Sequence, residues 1–154
     1  MKKICYLFFI VLLFLGTGCE NKEEEEKNNY IAYRNNLFSR KDYSSDLPFE
    51  LVFDIEREDE QTIHYKVTFS DPKENMHQIK AMVVNNYSND DVFPSVGLFD
   101  EKEELLVDVQ ENSSLELEGK INSTKDLSKL KLNLKIWISY QTDTQEKKDF
   151  YYQT

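Results

Sequence analysis

Between Leu130 and Tyr140 an apolar residue stands at every second position. Leu130, Leu132, Leu134, Ile136, Ile138 and Tyr140 alternate with Lys131, Asn133, Lys135, Trp137 and Ser139. Only an extended chain places every second side chain on one face; a helix would scatter them around its circumference. The stretch therefore predicts a long strand with one buried face. Burying a large apolar side chain contributes about 1.5–3 kcal/mol, so this face supplies on the order of 10 kcal/mol before chain entropy is set against it. A chain with such a segment must build a sheet with an apolar side.

The same period recurs upstream. Phe49, Leu51, Phe53 and Ile55 alternate with charged residues and Val52, and Ile63, Tyr65, Val67 and Phe69 alternate with His64, Lys66 and Thr68. Ile79–Asn85 is apolar on both faces around Met82–Val84, which predicts a central strand. Pro94 and Gly97 interrupt Val92–Phe99, as in an edge strand or bulge. Leu105–Val109, Leu115–Ile121 and Asp149–Gln153 complete the set, with charged or polar turns between them. Seven to eight short strands and no long helical pattern predict an all-β fold over residues 46–154, an immunoglobulin-like antiparallel β-sandwich, with a small β-barrel as the alternative. The layout resembles the Ig-like domains of small bacterial surface lipoproteins, without the Cys-Trp-Cys marks of antibody domains.

The amino-terminal stretch has a different character. Lys2 and Lys3 precede an unbroken apolar run, Ile4 to Leu15, followed by Gly16, Thr17, Gly18 and Cys19. A helix over that run covers about 18 Å, short of the roughly 30 Å hydrocarbon core, so a cleaved secretory signal fits better than a membrane span. The segment resembles the signal of bacterial lipoproteins, with Leu15-Gly16-Thr17-Gly18-Cys19 as its lipobox and Gly16 where leucine is usual. An ordinary cleaved signal and an uncleaved anchor are the alternatives. The resemblance implies that residues 1–18 are removed and that a diacylglyceryl thioether forms on Cys19. It also implies acylation of the new amino group, as by palmitate, and attachment to the extracytoplasmic face of the cell membrane. Two or three buried acyl chains hold firmly where one would not.

Residues 19–45 then read as a lipidated acidic tether. Glu20–Asn29 has no apolar residue and predicts a disordered, charge-extended spacer; residues 20–45 would span about 28 Å as a flexible chain. Tyr30–Tyr43 differs: Tyr30, Tyr33, Leu37 and Phe38 fall near helical spacing, among Arg34, Arg40 and Lys41. It would form a short amphipathic helix docked on the domain, a sticky linker, or a peptide that binds an acidic partner or the membrane surface.

The net charge of −10 becomes two units more negative when Lys2 and Lys3 leave with the signal. That balance argues against nucleic acid as a partner. The cysteines are Cys5 and Cys19 alone, so the mature domain has no disulfide to staple it. Plentiful Lys, Asn and Glu with few Gly and Pro resemble the usage of low-GC Gram-positive bacteria. His64 and His77 read as surface histidines, and no metal, cofactor or catalytic set emerges. The loop Asn89-Asp90-Asp91 lacks the spacing of a calcium loop. Asn86, Asn112 and Asn122 stand in N-x-S/T triplets that carry no expectation in a bacterial chain.

One group suggests recognition. Alternation points Trp137 away from the long strand's apolar face, beside Lys135 and near Tyr151, where an exposed tryptophan would mark an interface. A place under a loop or in the core is the rival. Trp137, Lys135, Tyr151, Tyr33 and Arg34 are the candidate interface residues. The expected function is a non-catalytic binding module for another cell-envelope protein; a small-ligand or metal-ion carrier is the alternative, and a hydrolase the weakest.

Overall fold

The computed structural model describes residues 17–87, 92–99, 101–109 and 114–154, with side chains from residue 22 onward. Residues 1–16, the loop residues Asn89, Asp90 and Asp91, and Asn112 lie outside the described residues. The element order is helix α1 (Thr17–Ser39), then β1 (Glu50–Arg57), β2 (Thr62–Ser70), β3 (Met76–Asn85), β4 (Ser95–Val96), β5 (Glu103–Leu105), β6 (Ser114–Asn122), β7 (Leu134–Gln141) and β8 (Lys147–Gln153). The strands form two antiparallel sheets, β1-β2-β6 and β4-β3-β7-β8, with β5 also paired to β3. The chain changes sheet after β2, after β5 and again after β6. That is the strand order of an immunoglobulin-like sandwich, and the described strands close no barrel.

Period-two patterning dictates the layers. Ile63, Tyr65, Val67 and Phe69 of β2 are all buried, while the residues between them face solvent in part. Across the sandwich they meet Ile79, Ala81 and Val83 of β3 and Leu134, Ile136, Ile138 and Tyr140 of β7. An aromatic seam closes the side where β1 faces β8. Phe49 meets Phe150 edge-on with ring centres 6.1 Å apart, and Phe53 stacks on Tyr152 at 6.0 Å.

The expected strand over 130–140 begins only at Leu134. Leu130 and Leu132 still pack on the core, but their backbone follows a 3₁₀ turn, Leu127–Lys129. There the Asn86 side chain takes the place of a strand partner: its amide donates to Lys131 O at 3.2 Å, and its Oδ1 accepts from Asn133 N at 2.8 Å. The strand expected over 105–109 sits earlier, at Glu103–Leu105, because Val107 N bonds Asn75 Oδ1 and Asp108 turns to a φ of 59°. The interrupted stretch 92–99 yields the two-residue β4 at the edge of the larger sheet.

The largest departure concerns residues 20–29, expected as a disordered spacer. They belong to α1, which runs unbroken from Thr17 to Ser39, so the short amphipathic helix is the docked end of a longer one. Glu and Lys are good helix formers, and Lys22 pairs with Glu26 one turn on at 3.6 Å. Nucleation is the costly step in a helix. Here Tyr30, Tyr33 and Leu37 pack on the sandwich and supply a formed turn from which the polar residues propagate without a core of their own.

Gly97 follows β4 at a φ of 68°, and a Cβ there would lie 2.2 Å from Ile79 O. A left-handed non-glycine residue costs roughly 1–2 kcal/mol before any clash. Gly97→Ala should therefore lower the thermal midpoint by roughly 5–10 °C in a circular-dichroism melt; an unchanged midpoint would mean this turn is not held against β3.

Candidate functional site

The central strands of the larger sheet are apolar on both faces. On β3, Met82 and Val84 point away from the sandwich core, and on β7 so does Trp137. Met82 and Trp137 are direct neighbours across the ladder, and Tyr151 of β8 flanks Trp137 on the other side. A second apolar cluster therefore stands on the outer face, and α1 covers it with Tyr30 and Leu37, both buried. Residues 30, 33 and 37 are one and two turns apart, so the three share one face of the helix.

Tyr33 stacks on Trp137 with ring centres 4.3 Å apart and planes 17° apart. The indole Nε1–H donates to Asp149 Oδ1 at 3.0 Å. The Lys135 ammonium donates to Phe38 O at 2.6 Å and to Arg40 O at 3.1 Å, which caps the carboxyl end of α1 with a cation where the helix dipole favours one. The Arg40 guanidinium lies 3.7 Å over the Tyr151 ring. Ser44 then bonds the edge of β8, its N–H donating to Tyr151 O at 2.8 Å and its Oγ accepting from Tyr151 N at 3.2 Å. Burial pushes the Tyr151 hydroxyl up, with Asp149 and Tyr33 adding to the shift against Arg40 and Lys147.

Four of the five candidate interface residues thus meet at one junction. Trp137, Lys135, Tyr151 and Tyr33 touch across it or along it, and Arg34 lies half-buried on α1, one residue past Tyr33. The junction is internal, however. Trp137 is 2% exposed, so the expectation of an exposed tryptophan is overturned: the residue that covers it lies 104 positions upstream, beyond any local pattern. Of the alternatives for Tyr30–Tyr43, the helix docked on the domain is the one observed, ending at Ser39. Cys19 falls in the first turns of α1, and its side chain lies outside the described residues.

Around Phe93, the rim of this junction carries apolar groups open to solvent. Phe38 is 42% exposed and meets the Phe93 ring edge-on at 5.5 Å; Phe99 is 53% exposed and lies 5.2 Å from Tyr30. On the other side of Tyr33, α1 walls a cavity of about 200 Å³. Gln78 and Lys80 of β3, Lys102, Ser139, Tyr140 and Gln141 of β7, and Lys147 of β8 line the rest.

Both histidines lie at the surface in part, each between two carboxylates. His64 stands 3.5 Å from Glu56 and 3.5 Å from Glu118 on the outer face of the smaller sheet. His77 is held more closely: its Nδ1 lies 2.9 Å from Glu104 and its Nε2 2.8 Å from Asp143, which also accepts from Asn75. The two carboxylates approach opposite ring nitrogens, a geometry that clamps an imidazolium rather than chelates a cation. Among the described residues no group of three or more His, Cys, Asp or Glu is placed to hold a metal ion. Nearby, Tyr140 donates to Glu74 at 2.5 Å and Lys148 bonds both oxygens of that carboxylate at 2.8 Å. Lys148 and then Tyr140 hold Glu74 below the usual carboxylate range. Glu104, Asp143 and Glu74 are distant in sequence from the groups they serve, and nothing local in the chain marks them.

No family model matches the chain, and comparison with curated proteins and with solved structures likewise finds no match. Among the described residues no helix is long and apolar enough to cross a membrane.

Asp143, and then Glu104, raise the His77 pKa above 6.5, against a smaller opposing effect of burial. A group with a raised folded pKa stabilises the fold fully below its unfolded pKa and loses that contribution as pH rises through the folded value. The stability advantage of the native chain over His77→Gln should therefore be greatest below the ordinary histidine pKa of about 6.5 and be lost as pH rises beyond it. Urea unfolding at a series of pH values measures it; an advantage that grows with pH would contradict the clamp.

Proposed function

We propose that this chain is a lipoprotein anchored through Cys19 to the extracytoplasmic face of the cell membrane. In this reading its immunoglobulin-like sandwich is a non-catalytic module that binds another protein of the envelope. The lipobox-type run Leu15–Cys19 supports the anchor. The observation that carries the reading is the continuity of α1, which passes through position 19 and is docked at Tyr30, Tyr33 and Leu37. From Cys19 to Tyr30 a helix rises about 16 Å. A lipid at Cys19 would then hold the sandwich on a short stiff stalk, at a set height and orientation, in place of a loose tether. Such an arrangement suits a domain that presents one particular surface.

The exposed apolar groups at the rim of the junction, Phe38 and Phe99, are the surface favoured for the partner. Solvent-facing aromatic side chains grouped beside a rigid element fit an interface. Trp137 is unsuited as a probe of that interface, because truncating a buried tryptophan costs about 3–5 kcal/mol of stability and would disturb the stalk itself.

Cross-linking of the lipoprotein in intact membranes, beside a Phe38→Ser/Phe99→Ser variant and a Cys19→Ala variant, tests both parts. The expected result is one discrete cross-linked species, lost in the double variant, and release of the Cys19→Ala protein from the membrane fraction. A species that survives the double variant would move the interface elsewhere, and a membrane-bound Cys19→Ala protein would overturn the lipid anchor.

A further inference from the structure

We infer that the cavity walled by Tyr33 of α1 and by the ends of β3, β7 and β8 is a binding site for a small phosphate-class oxyanion. In a chain with a net charge of −10, three lysines converge on this one space from three parts of the fold: Lys80, Lys102 and Lys147. Lys80 forms no ion pair with a described residue. Lys102 is held by a neutral group, donating to Gln78 Oε1 at 3.1 Å. Lys147 is shared with Asp149 at 3.3 Å; Glu101 and Glu103, the chain neighbours of Lys102, do not line the space, and Glu104 is turned to His77. The balance within the cavity is positive, opposite to that of the chain.

A second observation is independent of charge. Ser139 is 3% exposed, lines the cavity, and its hydroxyl makes no hydrogen bond to any described residue. No described buried side-chain nitrogen or oxygen is left both solvent-inaccessible and unpartnered, so that hydroxyl must reach the cavity. A buried donor that shares this space with three lysines and two carboxamides, Gln78 and Gln141, matches a ligand that accepts several hydrogen bonds at once. A tetrahedral phosphate group offers three or more acceptor oxygens and up to two negative charges to such a set. The volume, about 200 Å³, lies below the roughly 300–1,000 Å³ of sites for larger ligands. It suits a phosphate with a short polar substituent. The phosphate could be carried by a free phosphomonoester or by a phospholipid headgroup. Nothing in this site depends on Cys19, so its failure would leave the anchored-module reading standing, and the converse holds too.

The test is calorimetric titration of the full chain in neutral detergent with inorganic phosphate and with glycerol phosphate, at constant ionic strength. A parallel arm places the full chain in phosphatidylcholine discs with and without phosphatidylglycerol and reads the emission of Trp137, which Tyr33 couples to the cavity wall. Saturable binding that weakens roughly tenfold in Lys80→Gln and in Ser139→Ala is expected. Both substitutions remove a ligand contact and no described hydrogen bond, so folding is preserved. Response to the soluble phosphates identifies a free ligand. An emission change confined to discs with phosphatidylglycerol, and lost in Lys80→Gln, identifies the headgroup. No saturable response in either arm, or one equal in both variants, would overturn the site.

Discussion

Two neighbouring strands with apolar residues on both faces set the terms for this molecule. β3 and β7 send Ile79, Ala81, Val83, Ile136 and Ile138 into the sandwich and Met82, Val84 and Trp137 the other way. A two-layer sandwich buries only the first set. Left in water, the second would be an open apolar patch at the centre of the larger sheet, of the kind that drives association. Helix α1 resolves this by forming a third layer, and the features around it follow from that duty. Tyr33 stacks on the indole, Lys135 caps the helix, Arg40 lies over Tyr151, and Ser44 seals part of the β8 edge.

The same docking decides what the amino-terminal segment can do. Ordering a residue costs roughly 1–2 kcal/mol of backbone entropy, and a buried large apolar side chain returns about 1.5–3 kcal/mol. Tyr30, Leu37 and the covered faces of Trp137, Met82 and Val84 offset the ordering of residues 30–39, with little to spare. The polar turns before Tyr30 add little stability and are carried by propagation from the docked end. Charge is divided along the same lines. The acidic run Glu23–Glu26 lies on the part of the helix before Tyr30, away from any core, while Lys80 of β3, Lys147 of β8 and Lys102 just before β5 gather at the cavity.

What the sequence made legible was whatever repeats locally. The alternation of β2 and of the inward half of β7 predicted their buried faces residue by residue. The two-faced character of Met82–Val84 predicted a central strand. The outward direction of Trp137 was legible as well. Its cover was not, because Tyr33 and Trp137 are far apart in the chain and no period links them. Composition argued against order in residues 20–29, since a segment that cannot bury apolar surface is not expected to fold by itself; a helix seeded from a docked neighbour escapes that argument. Asn86, which replaces a ladder partner at the start of β7, and Glu104 with Asp143 around His77 depend on loops brought together by the fold.

The docked helix is the claim on which the stalk, the rim and the cavity wall all rest. Amide hydrogen exchange across residues 30–39 of the full chain, read against the core amides of β2, tests it most directly. The account predicts protection in Tyr30–Leu37 several orders of magnitude above free-chain rates, lost together with a red shift of the single tryptophan when Tyr33 and Leu37 are both replaced by Ser. Exchange of these amides at free-chain rates, with a blue tryptophan emission that ignores both substitutions, would mean that something other than α1 covers the sheet.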